Sequence, residues 1–161
     1  MIFTFGYDGH DQVALRRVLS RINRVMGRCW LIDIRSNPKR AQAGFSGNEL
    51  AEAFPDTYVH ASGLGGRLGH YLYGKAAREL LTMAGPENCL LLCKEAAPGD
   101  CHRLHVGAEL CRQGAKVVHL FYDDDGQDFD VIDQGELARS IAESDDYECT
   151  DLESFLLDPI A

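Results

Sequence analysis

The residues with the most chemical potential crowd into one stretch, LLLCKEAAPGDCHRLHVGAEL at residues 90–110. Cys93 closes an apolar run and a Pro/Gly loop follows. Cys101, His102 and Arg103 then stand side by side where the pattern starts a helix. The first turn of a helix offers unpaired N–H groups and the positive end of the helix dipole. Such a place suits an anion, and it also suits a thiolate, which His102 or Arg103 would help to stabilise on Cys101. Asp100 is the expected N-cap. Thiol chemistry by Cys101 with His102 is one reading, and anion recognition through Arg103 is another. Cys93, Cys101, His102 and His105 are also soft or borderline metal ligands. However, Cys93 and Cys101 lie eight positions apart. That is wider than the close cysteine pairs of most zinc sites, so no metal is expected.

The elements that must position these residues alternate along the chain. Apolar, β-rich runs at residues 2–7, 29–35, 57–62, 88–95 and 115–122 read as strands. Helical patterns fill residues 10–27, 46–54, 73–85 and 101–114 between them. Ser46 followed by Glu49 is a capping-box signature. Strands that are apolar on both faces point to a mostly parallel sheet covered by helices. The expectation is an α/β fold, a single three-layer Rossmann-like domain. Its core spans residues 1–122, and an acidic C-terminal extension, residues 123–161, packs on it. Within the extension, residues 123–128 read as a turn, and residues 135–144 and 151–158 as helices.

In open parallel sheets, ligands bind beyond the carboxyl ends of the strands. The residues just past those ends are therefore the site candidates. They are Asp8 after the first strand, Arg35, Ser36, Lys39 and Arg40 after the second, and Arg67, Tyr71 and Tyr73 after the third. Cys93, Glu95, Cys101, His102 and Arg103 lie at and after the fourth. Arg35 and Arg103 would hold an anion, with Ser36, Lys39, Arg40 and Arg67 beside them. Tyr71 or Tyr73 would stack a base. Asp8 or Glu95 would serve as acid or base if the pocket is catalytic.

The same places carry a family resemblance. The chain resembles the domain of unknown function 488 family in TFGYDG, LIDIRSNP, GFS with Leu50, LGG at residues 64–66, and LLLCKE…P…CHR leading into a helix. The resemblance covers residues 3–121. It implies a shared site, with Arg35, Cys93, Cys101, His102 and Arg103 as family-pattern positions, and assigns them no role. LIDIR also looks like the rhodanese strand pattern. In rhodaneses and cysteine phosphatases, though, a glycine-rich loop separates the cysteine from its arginine, whereas here His102 and Arg103 follow Cys101 directly.

Bulk composition narrows the classes. The 161 residues, 45% hydrophobic and 25% charged, suit one globular domain. No apolar run approaches membrane-spanning length, and MIFTFGYDGH does not look like a signal peptide, so a cytoplasmic location and no membrane partner are expected. The six cysteines sit mostly in apolar runs and are expected as thiols rather than disulfides. Residues 1–115 carry 14 Lys and Arg against 11 Asp and Glu, while residues 116–161 carry 2 against 14, giving the net −9. The acidic end would oppose a polyanion at the basic rim. Glycine signatures of nucleotide-binding loops are absent. The leading reading is a pocket for a phosphate-bearing ligand, either a nucleotide or nucleic acid. The alternatives are a thiol-dependent enzyme using Cys101, similar to a rhodanese or phosphatase, and a non-catalytic small-anion-binding protein. No cofactor or protein partner is legible.

Overall fold

The computed structural model describes residues 1–66, 70–122 and 129–143, with the side chains of residues 70–72 and 122 outside that description. Six strands form one sheet: β1 (Ile2–Gly6), β2 (Cys29–Asp33), β3 (Tyr58–His60), β4 (Asn88–Cys93), β5 (Val117–Tyr122) and β6 (Phe129–Asp133), in the order β3-β2-β4-β1-β5-β6. All pairings are parallel except β5 with β6. The α/β reading is therefore correct, and its basis is visible in β4, where every residue of NCLLLC is buried. A strand covered on both faces has no reason to alternate.

Helices cover both faces. α1 (Gln12–Met26) buries Leu15, Val18, Leu19 and Ile22. These spacings put them on one stripe. With Leu50 of α2 (Gly47–Ala53), the stripe packs on Phe5, Leu31, Leu90 and Leu92. On the opposite face, α3 (His70–Ala84) brings Tyr73, Ala77 and Leu80, and α4 (Arg103–Arg112) brings Val106 and Leu110, onto Ile32, Cys89, Leu91 and Cys93. The chain leaves β1 across one face and leaves β4 across the other. The β1/β4 boundary is thus the switch point at which connections diverge and open a crevice.

Local signals held where side chains close their own caps. Asp11 caps α1 by accepting from the Ala14 amide, and Ser46 with Glu49 forms the expected capping box on α2. The start of α4 differs from expectation. Residues Pro98–Asp100 form a 3-10 turn, Cys101 is extended, and the helix begins at Arg103. Its N-cap is His102, with no side-chain capping bond, so Asp100 is not the cap. β6 is a strand the sequence pattern does not reveal. Its burial is that of an exposed edge, and Asp130 and Asp133 dilute its apolar character. Together with α5 (Gln134–Glu143), it makes the first part of the acidic extension integral to the sheet domain. The expected turn at residues 123–128 and helix at residues 151–158 lie outside the described residues. No described helix is long and apolar enough to cross a membrane.

A buried polar chain joins this extension to the central strand. Thr4 donates to Nδ1 of His119 (2.7 Å), and Nε2–H of His119 donates to Gln134 (2.6 Å). All three side chains are buried. Burial pushes the His119 pKa down to about 4, with Gln134 opposing and Arg103 assisting. The folded value lies below the unfolded one. Below about pH 6.5 the unfolded chain therefore takes a proton that the folded chain refuses, and stability falls with pH until it levels off near 4. Urea unfolding should show a loss of about 2 kcal/mol between about pH 7 and about pH 5 from this group. That loss should be missing in His119→Gln, and identical pH slopes for the two proteins would disprove the assignment.

Candidate functional site

A cleft of about 590 Å³ opens over the carboxyl ends of β1, β2 and β4. Its walls include Arg35, Ser36, Asn37 and Arg40 from the loop after β2, and Lys94, Glu95 and Asp100 from the loop after β4. Tyr7, Gly66, Cys93 and His102 complete it. The volume is that of ordinary small-molecule pockets, and the position is where the switch point predicts one.

The wall after β2 is locked by a buried ion pair. Asp33, fully buried at the end of β2, accepts from Arg35 Nε (2.8 Å) and Nη2 (2.5 Å), from the Arg35 amide (3.1 Å) and from the Tyr58 hydroxyl (3.0 Å). Arg35 Nη1 also donates to the Tyr7 hydroxyl (2.9 Å), and the guanidinium lies over the Tyr7 ring. Tyr7 in turn stacks on Phe45, with centroids 4.2 Å apart. His60 bonds the Arg35 carbonyl (2.8 Å). Burial lowers the Arg35 pKa, but Asp33 outweighs it and holds the guanidinium charged. Burial and the Asp33 carboxylate together push the Tyr58 hydroxyl up.

The floor of the cleft is a cluster of Cys93, Glu95, Cys101 and His102, whose ligating atoms all lie within 4.8 Å of one another. Cys93 Sγ is 3.6 Å and Cys101 Sγ 3.9 Å from His102 Nδ1, and Cys93 Sγ is 3.2 Å from Glu95 Oε2. On the far side of the imidazole, Nε2 is 2.9 Å from the Ile34 carbonyl. A carbonyl only accepts, so Nε2 carries the hydrogen and Nδ1 presents its lone pair to the two sulfurs. The Arg103 amide lies 3.5 Å from Cys101 Sγ and donates to it. The two buried thiols bias one another's ionisation in opposite directions. The bond from Cys101, aided by His102 against burial, brings Cys93 down to about 6, and Cys101 is pushed well above its usual range. Burial disfavours the His102 charge, but Cys93 and the Ile34 carbonyl outweigh it and raise its pKa. Burial likewise disfavours charge on Glu95, yet its hydrogen bonds hold it below the ordinary carboxylate range.

The glycines of the LGG motif and the opening strand serve this packing. A Cβ on Gly66 would lie 3.2 Å from His102 Nδ1, and one on Gly65 would lie 2.9 Å from the Ser36 Cα. A Cβ on Gly6 would fall 1.7 Å from the Glu95 carbonyl oxygen and 2.6 Å from Arg103 Nη1, so only glycine fits there.

The candidates read from sequence separate into groups. Cys93, Glu95, Cys101 and His102 meet in one cluster, and Ser36 and Arg40 line the same cleft. Arg35 faces the cleft with its charge already answered by Asp33. Arg103, expected to share an anion with Arg35, is instead 0% exposed. Its Nη2 donates to the Ala96 carbonyl, while Nε and Nη1 have no hydrogen-bond partner among the described residues. Tyr73 is a core residue beneath Cys93 and Cys101 rather than a stacking platform, because helix α3 turns it inward. Asp8 lies in a neighbouring apolar groove with Ala96, Ala97 and Phe121, not in the cleft. Lys39 is exposed beside the cleft, its amide on Asn37. Arg67 and the Tyr71 side chain lie outside the described residues. His105 does not join the cluster. Asp33 and Lys94 fall on the rim that the strand order predicts, but the sequence assigns them no role: Asp33 reads as a strand end and Lys94 as part of a strand. For Asp33, a carboxylate two positions before an arginine at a strand terminus was the available signal. The expectation of thiols holds among the described residues, where Cys29, Cys89, Cys93, Cys101 and Cys111 are all unbridged.

Removing one member of a buried ion pair leaves the other charge unanswered, which typically costs about 3–5 kcal/mol. Asp33→Asn should lose that much in urea denaturation, and Asp33→Asn combined with Arg35→Leu should recover part of it. A loss below about 1 kcal/mol for the single change would show that solvent already answers Arg35.

No family model, no curated protein and no solved structure matches the chain, so the chemistry of the cleft is argued from its own geometry.

Proposed function

We propose that the protein binds a small phosphate-bearing molecule, of nucleotide size, in the cleft over β1, β2 and β4. The observation that carries this reading is the pair of exposed cations, Arg40 and Lys94, contributed by different loops to one cleft of about 590 Å³. Neither cation has a carboxylate partner among the described residues. An Arg and a Lys brought to one cleft suit a phosphate group, the Arg by bidentate contact and the Lys as a point charge. The locked wall of Asp33, Arg35 and Tyr7 gives the ligand a rigid side, and Ser36 and Asn37 offer polar contacts beside it. Glu95, Cys93 and His102 supply groups that act on a bound molecule.

The cleft's size and the chain's net charge of −9 favour a small molecule over a nucleic acid, because a polyanion would meet the acidic end by repulsion. Cys101 is the poorer nucleophile of the two cluster thiols. Cys93 and burial push its pKa up, and Cys93 is the one that reaches the cleft wall. The resemblance to the domain of unknown function 488 family is consistent with a site at these residues and adds no reaction.

Calorimetric titration with adenosine diphosphate and with inorganic pyrophosphate at low ionic strength tests the proposal. Binding should weaken as salt rises, since the cations are exposed. Arg40→Ala and Lys94→Ala should each reduce affinity about tenfold, the worth of a hydrogen bond to a charged group. Absence of binding to either compound at low salt, or binding that survives both substitutions together, would overturn it.

A further inference from the structure

We propose that Cys93, Cys101, His102 and Glu95 form a binding site for a divalent transition-metal ion, with zinc as the best fit. This goes beyond the ligand reading and does not depend on it.

The first argument is spatial. Zinc holds thiolate sulfur at about 2.3 Å and imidazole nitrogen at about 2.0–2.1 Å in a tetrahedron, which sets sulfur and nitrogen roughly 3.6 Å apart. The sulfur–nitrogen separations in the cluster are 3.6 and 3.9 Å. Cys93 Sγ to Glu95 Oε2 is 3.2 Å, and no pair of ligating atoms exceeds 4.8 Å. The two sulfur–nitrogen edges match those of a tetrahedral site, and the other separations leave all four atoms within reach of one ion.

The second argument is orientation. A ligating histidine nearly always donates its other N–H to an acceptor that fixes the ring. His102 does so to the Ile34 carbonyl, and the lone pair on Nδ1 is thereby turned toward both sulfurs. The Arg103 amide on Cys101 Sγ is a bond that favours a thiolate over a thiol.

The third argument is charge, and it is independent of the ligand geometry. Arg103 is a fully buried cation whose Nε and Nη1 have no hydrogen-bond partner among the described residues, and its backbone amide lies against Cys101 Sγ. Two thiolates and a carboxylate carry three negative charges. A divalent ion together with Arg103 balances them.

The donor set chooses the metal. Two sulfurs and an imidazole are soft or borderline ligands, which exclude magnesium and calcium and suit zinc. Cys93 and Cys101 are buried, whereas Glu95 is partly exposed on the cleft side. Glu95 is thus the ligand that water or a bound molecule would displace, leaving two cysteines and a histidine as the fixed set. Binding takes the thiol protons and releases them to solvent.

Cobalt(II) is the probe, because a tetrahedral thiolate site gives it strong visible bands and a sulfur-to-cobalt charge-transfer band in the near ultraviolet. The full chain, reduced and stripped with a chelator, should develop both on titration, and zinc should abolish them. Cys93→Ser and Cys101→Ser should each weaken cobalt binding on the order of a hundredfold. Cys111→Ser, an exposed thiol outside the cluster, should change nothing. Glu95→Gln should retain the charge-transfer band, weaken binding about tenfold and alter the visible bands. Circular dichroism reports whether each variant is folded. Should the cluster cysteine variants fail to fold, the wild type, Glu95→Gln and Cys111→Ser still decide the matter. No charge-transfer band in the wild type overturns the proposal. So do a band lost in Cys111→Ser and visible bands left unchanged by Glu95→Gln. All of this is read without any phosphate compound, so failure of the cleft to bind one leaves the metal result standing, and the reverse.

Discussion

Arg103 is a positive charge with none of its surface in water. Desolvating such a group costs several kcal/mol even after the protein relaxes around it. Burial accordingly lowers its pKa, and the opposing influences come from Cys101, Cys93 and Glu95. Much of the local architecture follows from that requirement. Gly6 must lack a side chain so that the guanidinium and the Glu95 carbonyl can close over the end of β1. The loop after β4 must fold back so that the Ala96 carbonyl accepts from Nη2. The helix α4 must start at Arg103, which places the Arg103 amide against Cys101 and leaves His102 as an uncapped N-cap whose ring is turned to Ile34. The cluster and the buried cation are thus joined at the start of α4, where the Arg103 amide donates to Cys101 Sγ.

A second charge pair does the corresponding work on the opposite wall. Asp33 is fully buried, and Arg35 with Tyr58 saturates it. The pair is coupled to β1 through Tyr7 and to the GFS segment through Phe45. The Asp33–Arg35 wall has little freedom to move, because moving it would strip a buried charge of its partner. Preorganisation of this kind lowers what a ligand must order on binding. It also explains why the most conspicuous arginines of the sequence are structural, while the cations open to a ligand are the exposed Arg40 and Lys94.

What was legible in the sequence follows the range of the forces concerned. The parallel strands were readable because burial on both faces leaves unbroken apolar runs such as NCLLLC. The capping box at Ser46 and Glu49 was readable because it closes within one helical turn. β6 was not, since an exposed edge strand carrying Asp130 and Asp133 has no apolar signature to show. Asp100 read as an N-cap because its type favours one, yet the Pro98–Gly99 turn used it before the helix began. The cluster was half legible. Its residues could be named, but an eight-position gap between Cys93 and Cys101 says nothing about distance until the intervening loop is folded. The pairing of Arg35 with Asp33 and the burial of Arg103 were hidden for the same reason. An arginine's type fixes its charge, and only the surrounding chain decides whether that charge meets solvent, a ligand or a carboxylate.

The loop of residues 94–100 joins these elements, and its two faces show why the acidic extension belongs to the domain. One face gives Lys94, Glu95 and Asp100 to the cleft, while Ala96, Ala97, Pro98 and Gly99 line an apolar groove with Phe121 of β5, Ile132 of β6 and Leu137 of α5. Ile141 of α5 packs with Leu104, and a Cβ on Gly99 would lie 3.3 Å from its side chain. Phe121 of β5, β6 and α5 thus form the backing against which the loop is pressed. The loop lies between two buried thiols, Cys93 and Cys101, and its Ala96 carbonyl accepts from the buried Arg103 guanidinium, so it gains from support behind it. β6 and α5 supply that support from behind, with the Thr4–His119–Gln134 chain fixing them to the central strand.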